Sequence, residues 1–176
     1  MGARPAGEPG RAVRRAAALL ALGLLVGCGY RWGPPAGPVE LRIAPVDDRG
    51  AEPLFGARLA RALAEEATAW GGLRLAGKDA ALVLRTRVDE VTESGSAYAA
   101  GGLVEYRVAA RVTATVARPS GEVLWRGALK EDREFAAGAD VGSTERAKEE
   151  ALGLLAADLA RDLLRRVSLV AAEAGP

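Results

Sequence analysis

The chain has 176 residues, with 24 Lys+Arg against 23 Asp+Glu, no His and a single Cys. A net charge of +1 provides no global field for nucleic acid or an anionic surface. Without His the commonest general base and metal ligand are missing, and one Cys excludes an internal disulfide, so the fold rests on its core.

The N-terminal stretch has the layout of a secretory signal. Arg11, Arg14 and Arg15 precede the apolar run Ala16–Val26, which ends at Gly27-Cys28. A basic segment, an apolar segment of about a dozen residues and a small residue before the cut define such a signal. The run is too short to span a bilayer, which takes roughly 20 apolar residues. Leu25-Val26-Gly27-Cys28 resembles the bacterial lipobox. The resemblance implies a diacylglycerol thioether on Cys28 and cleavage that leaves Cys28 as the acylated N-terminus. Gly29 in the next position, rather than Asp, is compatible with onward export to the outer membrane. Residues 1–27 are therefore expected to form the signal peptide. Residues 28–38, with Gly29, Gly33, Pro34, Pro35, Gly37 and Pro38, read as a lipidated tether.

Roughly 150 residues remain, enough for one domain with its own core. Val39-Glu40-Leu41-Arg42-Ile43 alternates strictly and predicts a half-buried strand ending near Pro45. Asp47-Asp48-Arg49-Gly50 reads as a turn. Pro53 suits the first turn of a helix whose stripe is Phe55, Leu59, Leu63, Ala67 and Trp70, stopped by Gly71-Gly72. A second strand places Leu82, Leu84, Thr86 and Val88 opposite Val83, Arg85, Arg87 and Asp89. Residues 94–97 and 99–102, around Tyr98, read as loop material. A third strand, from about Leu103 to Arg118, carries Val104, Tyr106, Val108, Ala110, Val112, Ala114 and Val116 on one face. Its length exceeds the usual five to six residues. After the turn at Pro119–Glu122, a fourth strand contains Val123, Trp125 and Leu129. Ser143 or Thr144 caps a last helix with the stripe Ala147, Ala151, Leu155, Leu159, Leu163 and Val167. Residues 171–176 are expected to fray.

The order β-α-β-β-β-α predicts an α+β fold over residues 39–170. The expected form is a two-layer sandwich, a mainly antiparallel four-stranded sheet with two helices on one face. No phosphate-cradling loop opens a helix, and no serine stands near a candidate base. The acid pairs Asp47-Asp48 and Glu131-Asp132 read as solvated charge rather than as a hydrolytic pair. Arg85, Arg87, Arg107 and Arg111 project from the non-core faces of two strands that are expected to pair. Guanidinium forks bind phosphate or carboxylate; the alternative is an ordinary solvated sheet face balanced by Glu105 and Asp89.

These features together resemble the LptE family of lipopolysaccharide-assembly lipoproteins. The residues that carry the resemblance are Cys28-Gly29-Tyr30 after the lipobox, the helix ending in Trp70, and Lys78-Asp79-Ala80-Ala81-Leu82 leading into the second strand. Val104-Glu105-Tyr106-Arg107-Val108 and Gly121-Glu122-Val123-Leu124-Trp125 complete them. Membership implies a lipid-anchored protein on the periplasmic face of the outer membrane; the residues themselves, with no His and no Cys pair, lead to the expectation of no cofactor and no enzymatic activity. Membership also implies docking inside the LptD β-barrel, help in assembling that barrel, and a part in lipopolysaccharide delivery. Lipopolysaccharide contact through basic sheet residues is also implied, with Arg85, Arg87, Arg107 and Arg111 as lipid or barrel candidates. Two other readings are a periplasmic lipoprotein that activates a cell-wall synthase and another lipid-anchored binding module. The short tether favours a partner in the same membrane.

Overall fold

The computed structural model describes Gly2, residues 37–99 and residues 102–174. The signal peptide, the acylation of Cys28 and the tether as far as residue 36 lie outside the described residues. From Gly37 onward the described residues belong to one compact unit.

The predicted strands and helices form, and two short strands join them. Strands β1 (Val39–Ile43), β2 (Asp47–Asp48) and β3 (Leu73–Leu75) are short; β4 (Leu82–Ala99), β5 (Gly102–Ala117) and β6 (Val123–Ala136) are long. Helix α1 spans Phe55–Ala69 and α2 spans Val141–Ala174. The sheet is therefore six-stranded and mixed, not four-stranded and mainly antiparallel. Its order is β3-β1-β4-β5-β6, with β2 paired to β4. β1 runs parallel to both β3 and β4, and β2 runs parallel to β4. Only β4-β5-β6 forms the expected antiparallel meander. The β1-α1-β3 crossover is the source of the parallel pairing, since parallel neighbours need a long connection, usually a helix.

Both helices lie against the same side of the sheet in one core. Phe55, Leu59, Leu63 and Ala67 of α1 join Leu155, Leu159, Leu163 and Val167 of α2, together with Leu41, Leu84, Val88, Val108, Val112 and Val116 of the sheet. The helix stripe is wider on α2 than the predicted one, because Leu152, Ala156, Ala160 and Leu164 are buried as well. A helix covered by both a sheet and a second helix needs an apolar arc rather than a line. On β6 the indole of Trp125 lies along the strand over Gly127, where an added Cβ would sit 2.4 Å from Trp125 Cζ2.

Pro53 precedes α1 rather than lying in its first turn, and the cap of α2 differs from the predicted one. Asp48 on β2 accepts from Gly56 N at 2.7 Å and from Gly50 N at 3.0 Å, so a residue outside α1 satisfies its first turn. The chain reaches that turn through Leu54, an exposed residue held at φ 63°. At α2 the cap is Asp140, not Ser143 or Thr144. Asp140 Oδ1 accepts from Ser143 N at 2.8 Å, and Ser143 Oγ accepts from Asp140 N at 3.1 Å, a reciprocal box. These bonds hold the Asp140 carboxyl below its usual pKa. α2 then runs to Ala174, into the stretch expected to fray, and is about 50 Å long.

β4 carries a bulge. Val88 pairs with Val112 and Glu90 with Arg111, so Asp89 is the extra residue. The bulge reverses which parity faces the helices. Before it Leu84, Thr86 and Val88 are buried; after it Val91 is. Glu93 then reaches Lys148 of α2 at 3.0 Å, and Glu52 reaches the same ammonium at 2.9 Å. Both carboxylates raise the Lys148 pKa. Further ion pairs tie the layers together: Arg58 of α1 to Glu149 of α2, and Arg133 of β6 to Asp158 of α2.

Residues 94–99, expected as loop, continue β4 instead, paired back onto β5 as far as Ala99 opposite Gly102. This arm passes the end of β6, whose last pair is Ala136 with Glu105. Tyr98 on it is 78% exposed.

Candidate functional site

The helices cover one side of the sheet; among the described residues the other side is largely exposed, except at Val83 and Ala117, which are buried on it. Successive strand side chains point to opposite faces, and this places the predicted arginines. Directly opposite residues form rows across β4, β5 and β6. Arg85, Thr115 and Arg126 make the first row, and Arg87, Thr113 and Ala128 the second. Glu90, Arg111 and Lys130 follow, then Thr92, Ala109 and Asp132, then Ser94, Arg107 and Glu134. All four predicted arginines share the open face. They do not form a single cluster.

Arg85 and Arg87 do meet. With Arg126, Thr113, Thr115 and Asp47 they line a shallow depression of about 460 Å³, closed on one side by Ala44 and Pro45. Arg85 and Arg126 sit two strand spacings apart, about 10 Å, with the Thr115 hydroxyl between them. Arg126 Nε donates to that hydroxyl at 3.3 Å. Arg87 Nε donates to Asp89 Oδ1 at 2.5 Å, and the Thr113 hydroxyl donates to the other oxygen of the same carboxylate. Thr113, then Arg87 and Arg111, hold the Asp89 carboxyl below its usual pKa. Arg87 is thus neutralised locally, whereas Arg85 and Arg126 make no ion pair among the described residues.

Arg107 lies well away from that depression, in the acidic part of the face. Its Nε is 3.2 Å from Glu134 Oε1 and 3.6 Å from Asp132 Oδ2, and these acids raise its pKa. Arg111 lies one row beyond the depression, between Glu90 and Lys130. Arg126 is the residue that sequence reading missed. It sits on the edge strand in a run, Trp125-Arg126-Gly127-Ala128, whose alternation is broken by small residues. Only its position opposite Thr115 brings it to Arg85.

The acid pairs considered for hydrolysis are split by the same strand geometry. Asp47 faces the depression while Asp48 turns to cap α1. Asp132 is on the open face beside Arg107. Glu131 is on the helix side near Asp158 and Asp162, where burial first and then these acids raise its pKa. Neither pair presents two carboxyls to one point. Among the described residues no group of His, Cys, Asp and Glu has the arrangement of a metal site.

A family model described as LptE, lipopolysaccharide-assembly, matches residues 39–167, which is more than half of the chain and nearly all of the folded unit. The chain belongs to the LptE family. Solved structures show the same fold. The crystal structure of rare lipoprotein B from Shewanella oneidensis matches with a TM-score of 0.54 at 18% identity, covering 72% of this chain and 93% of that one. A hypothetical protein from Chlamydia trachomatis, CT253, matches at 0.57 and 14% identity, covering 74% and 96%. A minor lipoprotein from Acinetobacter baumannii matches at 0.50 and 20% identity, covering 77% and 94%. No curated protein sequence matches the chain. LptE membership makes this chain a lipopolysaccharide-assembly lipoprotein. No helix among its described residues is long and apolar enough to cross a membrane.

Proposed function

We propose that this LptE-family chain is anchored by acylated Cys28 in the periplasmic face of the outer membrane, where it docks in an LptD-like β-barrel. It assists assembly of that barrel and takes part in lipopolysaccharide transport to the cell surface, and it acts without catalysis. The family match across 39–167 carries this reading. The open sheet face supports it: a plug inside a large barrel meets a polar lumen, and this face presents Thr, Arg, Lys and acid side chains in cross-strand rows. On it, Arg85 with Arg126 and Thr115 is the arrangement best suited to a lipopolysaccharide phosphate, since two guanidinium forks flank a hydroxyl. Arg87, Arg107 and Arg111, already partnered or facing acids, are better suited to polar contacts with the barrel wall.

Co-purification of the lipidated protein in mild detergent tests the reading. A heat-modifiable outer-membrane barrel is the expected partner; a cell-wall synthase in its place would establish the rival function. Arg85→Glu and Arg126→Glu should weaken lipopolysaccharide binding and leave barrel co-purification and thermal stability intact. Loss of the barrel with lipid binding retained would make these arginines interface residues. Intact mass of the mature protein should show an acylated Cys28 N-terminus, and Cys28→Ser should block processing.

A further inference from the structure

The open face is electrically divided along its length. Arg42, Arg85, Arg111, Arg126 and Lys130 make no ion pair among the described residues, and all lie in one half of the face. The acids in that half are mostly engaged. Asp89 is held by Arg87 and Thr113, and Asp47 by Arg49 at 2.9 Å. Glu90, opposite Arg111, is the acid left over. In the other half Asp132 and Glu134 flank Arg107, and from Ser94 to Val104 the chain carries no charged residue at all.

The basic half lies at the end where the N-terminal chain arrives. Gly37, Pro38 and Val39 line a depression of about 390 Å³ with Leu82, Arg118 and Ala171 of α2. Leu82 opens the strand that carries Arg85, and Leu41 of β1 pairs with it. About nine residues separate Gly37 from Cys28, a reach of roughly 30 Å even when fully extended. An acyl chain on Cys28 would therefore keep this half of the face close to lipid phosphates. A tether of that length turns surface contact into an intramolecular event at high effective concentration.

We infer that the basic half of the open face is a second membrane attachment, resting on the headgroup phosphates of anionic phospholipids in the leaflet that holds the N-terminal lipid. The inference rests on the lipid-anchor part of the proposed function and describes the chain outside the barrel, because the same face cannot meet the leaflet and a barrel lumen at once. Guanidinium forks match phosphate oxygens, and basic residues beside an anchor add attraction to an anionic leaflet that fades within a Debye length. The charge division gives the contact a polarity: the basic half faces the leaflet, while the acidic half and the uncharged arm point away from it.

Vesicle co-sedimentation of the 36–176 unit, which holds the whole described core and carries no acyl chain, tests this. The expected result is binding at low salt to phosphatidylcholine vesicles containing phosphatidylglycerol, none to phosphatidylcholine alone, and release at about 0.5 M NaCl. Arg85→Gln with Arg126→Gln should cut the bound fraction several-fold, whereas Arg107→Gln, in the acidic half, should leave it unchanged. Thermal melts confirm that each variant is folded. Absence of binding to anionic vesicles at low salt, or an equal loss from Arg107→Gln, overturns the inference. So does displacement by inorganic phosphate at constant ionic strength, which would mean a discrete phosphate site rather than a surface contact. Failure of the barrel reading would show only in detergent co-purification, so the two results are separable.

Discussion

Asp48 and Gly56 are the residue pair on which the start of α1 depends. A Cβ on Gly56 would lie 2.6 Å from Asp48 Cβ, so Gly56→Ala must displace the carboxyl that caps the helix. Denaturant melts of the 36–176 unit should show a loss of about 1–3 kcal/mol, the usual cost of overpacking. Asp48→Ala should cost about 1–2 kcal/mol through the lost cap. Glu131 gives the opposite sign. Burial and the neighbouring Asp162, Asp158 and Asp132 raise its folded pKa above the unfolded value. In the window between those two values the folded state holds more protons than the unfolded state, so stability falls as pH rises through it. Above that window the charged carboxylate destabilises the fold. Glu131→Gln should therefore raise the melting temperature at pH 7 and lose that advantage at pH 4, as thermal melts at the two pH values would show.

At the scale of elements, the bulge in β4 decides what the far half of the strand does. Deleting Asp89 would restore strict alternation and turn Val91 and Glu93 to the open face. Glu90 and Thr92 would then turn toward the helices, and Glu93 would leave Lys148. Loss of Val91 burial alone is worth about 1.5–3 kcal/mol, so the deletion should unfold the domain or lower its denaturation midpoint sharply. The helix–sheet contact has its own test. Leu155, Leu159 and Val108 are fully or almost fully buried, and Asp at any of them places an unpaired charge in the core. Each should cost at least 4 kcal/mol or so. Leu154→Asp, on the exposed face of the same helix, should change stability by about 0.5 kcal/mol or less. Similar effects at all four positions would mean that the packed face is wrongly assigned.

At the scale of the whole molecule, the layers and the arm are separable. Among the described residues the arm beyond Glu93 and Glu105 pairs with no third strand, and a two-stranded ribbon alone is marginal in water. Replacing residues 96–103 with a two-residue Asn-Gly turn should leave the melting temperature within about 2 °C, because a shift that small corresponds to well under 1 kcal/mol. A large drop would place part of the core in the arm.

The sequence by itself determined what is local and periodic. Alternation located β1, β5 and the first part of β4, and the helical stripes located α1 and α2, because burial of one face repeats every two or 3.6 residues wherever the partner lies. The diffuse family features were also legible in it, as was the presence of arginines on non-core strand positions. Other features had no such signal. β2 and β3 span two and three residues, too few for any period, and exist only because β1 and β4 offer them hydrogen-bonding edges. Asp89 alternates normally in the sequence; its bulge appears only against the register of β5. The same holds for the candidate site. Arg85 and Arg126 are 41 positions apart in the chain and meet across Thr115 because β5 lies between their strands. Arg107 looks equivalent to Arg85 in sequence and is not, because pairing with β6 puts Glu134 beside it. Which charges are neutralised and which are left unpaired is a property of neighbouring strands, and that was decided by the tertiary structure alone.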